Sequence, residues 1–396
     1  MFPEPVWVVE TDADFERLIQ RLSRMRVIAL DTEADSMYHY QEKLCLLQFT
    51  DAEGDIILDP LRVRSIQALG PILANPNIVK VLHGADYDVV SLKRDFGFEI
   101  INMFDTQIAA QFLGLERIGL ADLVNTWFGE ELDKKFQRHD WSQRPLEPEH
   151  LDYARGDTHW LPALREILRL RLVRAGRLDY AAEECEILAR REPARRSFDA
   201  EGWRQIKGAG ALSDEGQRVL RRLFQWRDAA ARDADRPIYR VVGDAQLLEM
   251  AQKRPLTSRA LEQLYPGMHG LRRRFGAGIV DAVITGLEDG PVPPAPPEVD
   301  EDDDRDDPSY LPRRLGGRQA ERVLEALKEW RNQLAQRDKR YTAYAIASNG
   351  VLKHIAACRP RNLGELARVR EVRRWQVEEH GERILAVLDR VAPLKG

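Results

Sequence analysis

The chain has 396 residues, of which 43% are hydrophobic and 32% charged, and its formal net charge is −5. That length exceeds one compact core and predicts two to four domains of about 100–200 residues each. There is no run of about 18 apolar residues that would cross a bilayer, no basic and apolar leader in MFPEPVWVVETDADF, and no Cys-x-x-Cys pair among three scattered cysteines, so export, a disulfide framework and a structural zinc site are all disfavoured, and a soluble protein of the reducing cytoplasm is expected.

In chain order, DADFERLIQRLSRM reads as an amphipathic helix behind an Asp12 cap. VIALDTE, LCLLQFTD, DIILDP and KVLHG are short, rich in β-branched residues and bounded by turn formers, which predicts strands. VRSIQALGPILAN predicts a helix between the last two. Strands alternating with helices over roughly the first 175 residues make an α/β domain. From EPEHLDYARGDTHWLPALREILRLRLVRAGR onward the pattern is helical.

The helical part contains a repeat. RVLRRLFQWRDAAARDADRPIYRVVGDAQLLEMAQKRP, from Arg218, and RVLEALKEWRNQLAQRDKRYTAYAIASNGVLKHIAACRP, from Arg322, share Arg-Val-Leu, Trp-Arg, Arg-Asp, a Tyr and a closing Arg-Pro in the same order. Trp226 and Trp330 recur at core spacing and read as packing. Between the copies, proline stiffens and acidic self-repulsion extends a linker. Residues 291–308 carry eight acids against Arg305, whereas 315–396 carry 17 Lys/Arg against 10 Asp/Glu. The net negative charge therefore sits in the linker, and the C-terminal end is left basic enough to suit a polyanion.

Three acidic stretches carry the chemistry. In LDTEAD the period of two sends Asp31 and Glu33 to one face of the sheet. HGADYDVVSL follows the strand KVLHG and opens a helix, with Asp88 in its first turn. In YARGDTHWL the i, i+4 spacing points Tyr153 and Asp157 the same way. Four carboxylates brought together repel one another unless a cation sits among them, and oxygen-only ligation suits magnesium or manganese. A pair of such ions about 3.5–4 Å apart is a device for in-line attack on phosphodiesters. A phenol beside the first would orient the attacking water or help to deprotonate it.

These three motifs, in this order, make the chain resemble the ribonuclease D family, in the DEDDy branch of the DnaQ-like 3′–5′ exonucleases. The likeness extends over essentially the whole chain, with FDTQIAA and LDKKFQRHDWSQRPL also similar to family segments and the two repeats similar to HRDC modules. It implies an α/β, RNase H-like exonuclease core followed by two all-α HRDC bundles. It also implies Asp31, Glu33, Asp88 and Asp157 as ligands of two divalent ions, Mg2+ or Mn2+, with Tyr153 as the fifth catalytic residue and Asp86 set aside. By analogy Asp31 bridges both ions, Glu33 and Asp157 serve the first and Asp88 the second. The implied activity is release of nucleoside 5′-monophosphates from RNA with a free 3′ end, tRNA precursors and other small structured RNAs included. The expected divisions are 1–178 for the exonuclease, 179–210 for a helical connector, 211–289 and 315–396 for the bundles, and 290–314 for the linker.

Other residues are assigned from their setting. His83 stands at a strand end near the scissile region, and Asp105 caps the helix from Thr106, reaching the acidic cluster only through another residue. Lys135, Trp141 and Arg144, in a loop mixing cations with aromatics, are candidates for phosphate contact and base stacking. The residues alone leave open an inert nucleic-acid scaffold or an exonuclease acting on DNA.

Overall fold

The structure, a computed structural model, describes residues 6–193, 198–294, 309–338 and 342–393. Strands Trp7–Val9 (β1), Val27–Ala34 (β2), Leu44–Asp51 (β3), Gly54–Leu58 (β4), Val79–Leu82 (β5) and Met103–Asp105 (β6) form one sheet in the order β1-β4-β3-β2-β5-β6. Only β3 runs antiparallel, between β2 and β4; the other neighbours are parallel. All eight residues of β3 are buried because both faces of the sheet are covered. On one face Leu47 and Phe49 meet Phe15, Leu18 and Leu92; on the other Leu46 meets Trp141 and Ala154. The second face is roofed by the helices Pro148–His159 and Leu161–Ala175.

Two local expectations are corrected. The first helix is capped by Thr11, whose hydroxyl accepts from the Asp14 N–H at 3.1 Å. Asp12 lies inside the helix and accepts instead from the Arg64 N–H at 2.7 Å. The stretch VRSIQALGPILAN does not make one helix: it divides into a 3-10 turn, Ile66–Leu69, and a single α turn, Gly70–Leu73. Pro71 has no N–H to continue the ladder, but is well placed in the first turn of a new helix.

The helix Leu178–Ala189, expected to begin a connector, belongs to the α/β core, where Cys185 and Leu188 join the cluster around β2 and β3. The first bundle is built on Asp214–Asp233, Asp244–Lys253, Ser258–Leu264 and His269–Glu288 around Val219, Leu223, Leu247, Ile279 and Val283. The second uses Gly317–Arg337, Asn349–Cys358 and Arg374–Val391 around Val323, Leu327, Leu352, Ile355 and Leu388. Trp226 and Trp330 are partly buried against these two cores, as their spacing predicts.

The repeat has a physical meaning in both copies. The Arg of each Trp-Arg pair clasps the start of the next helix: Arg227 donates to the Val242 carbonyl and Asp244, Arg331 to the Ala347 carbonyl and Asn349. Each closing Arg-Pro is a helix stop. Arg254 and Arg359 adopt left-handed backbone, with φ of 52° and 47°, and proline then forbids continuation.

Both bundles rest on the α/β domain. The segment 35–43 after β2 is held by the first bundle, with the Tyr40 hydroxyl donating to Asp228 at 2.6 Å and His39 Nδ1 at 2.7 Å from Asp235. The second bundle inserts Trp375, buried edge-on against Phe112 and stacked on Tyr180, with ring centroids 5.1 and 5.5 Å apart. Glu183 accepts from the N–H groups of Arg374 and Trp375, capping that bundle's last helix from across the interface. Of the expected linker 290–314, residues 295–308 lie outside the described residues. Its final part is not a tether, since Leu311 is buried in the second bundle and its N–H donates to the Arg368 carbonyl at 2.8 Å. No described helix is long and apolar enough to cross a membrane.

Candidate active site

The end of β2 supplies Asp31 and Glu33, both half-buried. They stand in register opposite Gln48 and Leu46 of β3, with an irregularity just after Glu33 that bends the strand away. Asp157, from the middle of the Pro148–His159 helix, completes a trio. One ligand oxygen from each of Asp31, Glu33 and Asp157 lies within 4.8 Å of the others. Asp88, buried in the first turn of the helix Asp86–Phe96, joins from the end of β5 and accepts from the Thr32 hydroxyl at 2.6 Å. Asp86 turns outward to an ion pair with Arg191 and takes no part.

The electrostatics are those of an anionic cluster out of water. Burial, then repulsion from Asp88, Asp157 and Glu33, holds Asp31 well above the usual carboxylate range. Glu33 rises for the same reasons. Burial pushes Asp88 up to about 6, the Thr32 hydroxyl opposing, and pushes Asp157 up to about 7, with Asp88 adding to it. Tyr153, one helical turn before Asp157, is raised by burial and by Asp157, Glu33 and Asp31, so its phenol keeps its proton. Four such carboxylates beside one phenol, and no cation of the chain paired with any of them among the described residues, suit a divalent ion with oxygen ligands.

The turn that presents Asp88 is fixed by Asp105. This buried carboxylate accepts from the N–H groups of Gly84 and Ala85, at 3.2 and 2.8 Å, and caps the helix Thr106–Phe112 through Gln107 and Ile108, as its spacing predicts. Gly84 has φ +64°, a conformation that favours glycine, so His-Gly-Ala can turn sharply into the helix. His83, beside it, is half-buried with Nδ1 2.9 Å from the Thr106 hydroxyl; burial lowers its pKa, Asp105 opposing.

The third motif is held by a network the sequence reading missed. Arg155 is buried and donates through Nε and Nη2 to Asp55 of β4 at 2.8 and 2.6 Å. His159 Nδ1 lies 2.8 Å from the same carboxylate, and the Thr50 hydroxyl contacts both Asp55 and Thr158 at 2.8 Å. Burial alone would raise the Asp55 pKa, but hydrogen bonds from His159, Arg155 and Thr50 hold it below the usual range. The signal was present: Arg155 and His159 are also four apart, on the face of YARGDTHWL that turns toward the sheet.

Two assignments in the loop 133–145 are corrected. Trp141 is only 1% exposed and packs beside Tyr153 with ring centroids 5.9 Å apart, so no base can stack on it there; it is a floor for the tyrosine. Arg144 is spent on Asp59 at 2.6 Å and on the carbonyls of Trp141 and Cys45, which pin the loop to the sheet. Lys135 remains exposed, its ammonium 2.8 Å from Glu149 and 4.7 Å from the Phe136 ring centre. A cleft of about 650 Å3 opens beside Tyr153 and Asp157, lined by Phe136, His159 and Trp160 and rimmed by acids including Glu131 and Glu149.

Comparison with known proteins agrees with this geometry. Residues 6–173 match a 3′-5′ exonuclease family model, and residues 216–283 and 320–388 each match the HRDC domain. The chain is 31% identical to ribonuclease D of Acidiphilium cryptum over 301 residues, which are 74% of this chain and 76% of that one. Ribonuclease D of Gluconacetobacter diazotrophicus is 32% identical over 74% of this chain and 75% of its own. Among solved structures, Escherichia coli RNase D, an exoribonuclease involved in structured RNA processing, superposes with a TM-score of 0.67 at 25% identity, covering 99% of this chain and 100% of the other. The catalytic core of RRP6 from Trypanosoma brucei gives 0.66 at 33% identity over 72% of this chain and 80% of its own. The α/β sheet, the helical C-terminal modules and these relationships lead to one conclusion: the chain belongs to the ribonuclease D family of 3′–5′ exoribonucleases.

Proposed function

We propose that the chain trims the 3′ ends of tRNA precursors and other small structured RNAs, releasing nucleoside 5′-monophosphates, and that Asp31, Glu33, Asp88, Tyr153 and Asp157 carry the reaction. The observation that supports the site most directly is the convergence of Asp31, Glu33 and Asp157 within 4.8 Å, with Asp88 close enough to raise the pKa of Asp31 and Asp157. Two Mg2+ or Mn2+ ions held by these acids would activate the attacking water and neutralise charge on the departing oxygen. Asp31, Glu33 and Asp157 would hold the first ion, and Asp31 with Asp88 would hold the second. Tyr153, held at a fixed angle by Trp141 and Phe136, would orient the attacking water or help to deprotonate it. His83, at the β5 end, and Lys135, paired with Glu149 of the cleft's rim, are the side chains offered to the RNA backbone.

The test is product analysis on a 3′-labelled RNA with and without chelator, using the native chain, Asp31→Asn and Asp157→Asn. Mononucleotide release should require the metal and vanish in both variants while RNA binding persists. Full exonuclease rate in either variant rejects the site assignment. Comparing a folded tRNA precursor with an unstructured strand of the same length tests the substrate; equal rates on both would reject the structured-RNA reading.

A further inference from the structure

Gln48 is a polar side chain at the site for which nothing above accounts. It lies in the middle of β3 with none of its surface exposed, and neither its amide oxygen nor its amide nitrogen has a hydrogen-bond partner among the described residues. Natural cores seldom keep such a group, because a buried amide without partners loses its hydration for nothing in return.

Its position shows what it faces. The sheet register sets Gln48 directly opposite Asp31 on β2 and opposite Ile57 on β4. Directly opposed residues stand on the same face with Cβ atoms about 4.5–5.5 Å apart. Its i±2 neighbours identify that face: the Thr50 hydroxyl meets Thr158 of the Pro148–His159 helix, and Leu46 packs with Ala154 of the same helix. Gln48 therefore lies beneath the helix that carries Asp157, at the level of Asp31. An amide offers both donors and an acceptor, and one ordered water can join two polar groups that make no direct hydrogen bond.

We propose that Gln48 is a positioning residue for Asp31, holding that carboxylate through one ordered water so that its free oxygens stay aimed at the metal positions. The inference rests on the reading of Asp31 as a metal ligand. Partners of this kind fix a ligand's orientation and commonly change metal affinity or activity by about 10–100-fold when removed.

The experiment uses the full chain carrying Gln48→Met, with Gln48→Leu made beside it; whichever melts higher in chelator is scored. Mn2+ affinity is measured from the free-ion paramagnetic resonance signal, and kcat and KM on an RNA oligonucleotide. The expected result is a melting temperature in chelator close to that of the native chain, since an apolar side chain of similar volume replaces an amide whose one partner is a water. Mn2+ affinity should fall at least about tenfold, with a comparable loss in kcat and KM within twofold. Mn2+ affinity and kcat both within twofold of the native chain overturn the proposal, as does a loss of stability with unchanged Mn2+ affinity, which marks a packing role only. Asp31→Asn in the same assays separates the two readings. If it binds Mn2+ and degrades RNA normally, the ligand assignment itself has failed; if it does neither while the Gln48 variant behaves as native, the Gln48 role alone is wrong.

Discussion

The Arg155–Asp55 pair offers a quantitative test of how the third motif is held. In Arg155→Met the guanidinium is lost and, among the described residues, Asp55 keeps the Thr50 hydroxyl and His159. Both side chains are nearly inaccessible, 5% and 2% exposed, so water cannot replace what is removed. Removing one partner of such a buried pair costs about 3–5 kcal/mol, mostly because the other charge is stranded. At about 2–4 °C per kcal/mol for a domain of this size, the nuclease transition in scanning calorimetry should drop by about 6–20 °C. Adding Asp55→Leu removes the stranded charge, and the double variant should recover at least half of the loss. A single variant melting within about 2 °C of the native chain, or a double variant no better than the single, would refute the argument. Because the same helix carries Tyr153 and Asp157, the exonuclease rate of Arg155→Met should also fall at temperatures where it remains folded.

Acid titration follows from the same carboxylate. Asp55 has a folded pKa below its ordinary 3.8, so its contribution is complete above that value and is lost as pH falls through the lower folded one; the Asp55→Leu, Arg155→Met chain should lack this limb in acid melts, and identical acid limbs would count against it. Adding Mg2+ at about 100 times its dissociation constant should stabilise the native chain by about 2.7 kcal/mol, while Asp31→Asn should show little shift; an equal shift in both would place the ion elsewhere. Trp375→Ala should free the second bundle, since the contacts to Phe112 and Tyr180 that it deletes are of a kind costing about 3–5 kcal/mol; the radius of gyration in small-angle scattering should increase, and an unchanged profile would show that other contacts hold the bundle.

The acidic constellation was legible in the sequence because each of its parts obeys a local rule. Period two along a strand pairs Asp31 with Glu33, helical i, i+4 spacing pairs Tyr153 with Asp157, and a strand end followed by a glycine turn delivers Asp86 and Asp88, between which the family resemblance chose Asp88. The alternation of strands and helices, the repeat and the Asp105 cap were readable on similar grounds. What escaped depends on contacts between residues far apart in the chain. Nothing near Trp141 or Arg144 reveals that Asp59 and the Cys45 carbonyl claim the arginine, or that a tyrosine and a sheet bury the indole. The docking of Trp375 between Phe112 and Tyr180 is likewise a tertiary fact. The error at Asp12 was of a different kind: Thr11 and Asp12 are both good caps, and the backbone of Thr11, extended at φ −123° and ψ 152°, decides between them.

The grip of the first bundle on residues 35–43 puts that bundle mechanically in series with the catalytic strand. Tyr40 is seven residues beyond Glu33, and it is anchored to Asp228 on a helix of another domain and to Asp235 in the turn that follows that helix. Load applied to the bundle would thus be delivered to the strand end that bears the acids, whereas the segment 129–135 has no comparable anchor to either bundle among the described residues. Extra residues spliced in after Ser36 would slacken that linkage, and lengthening the chain around Glu131 would not.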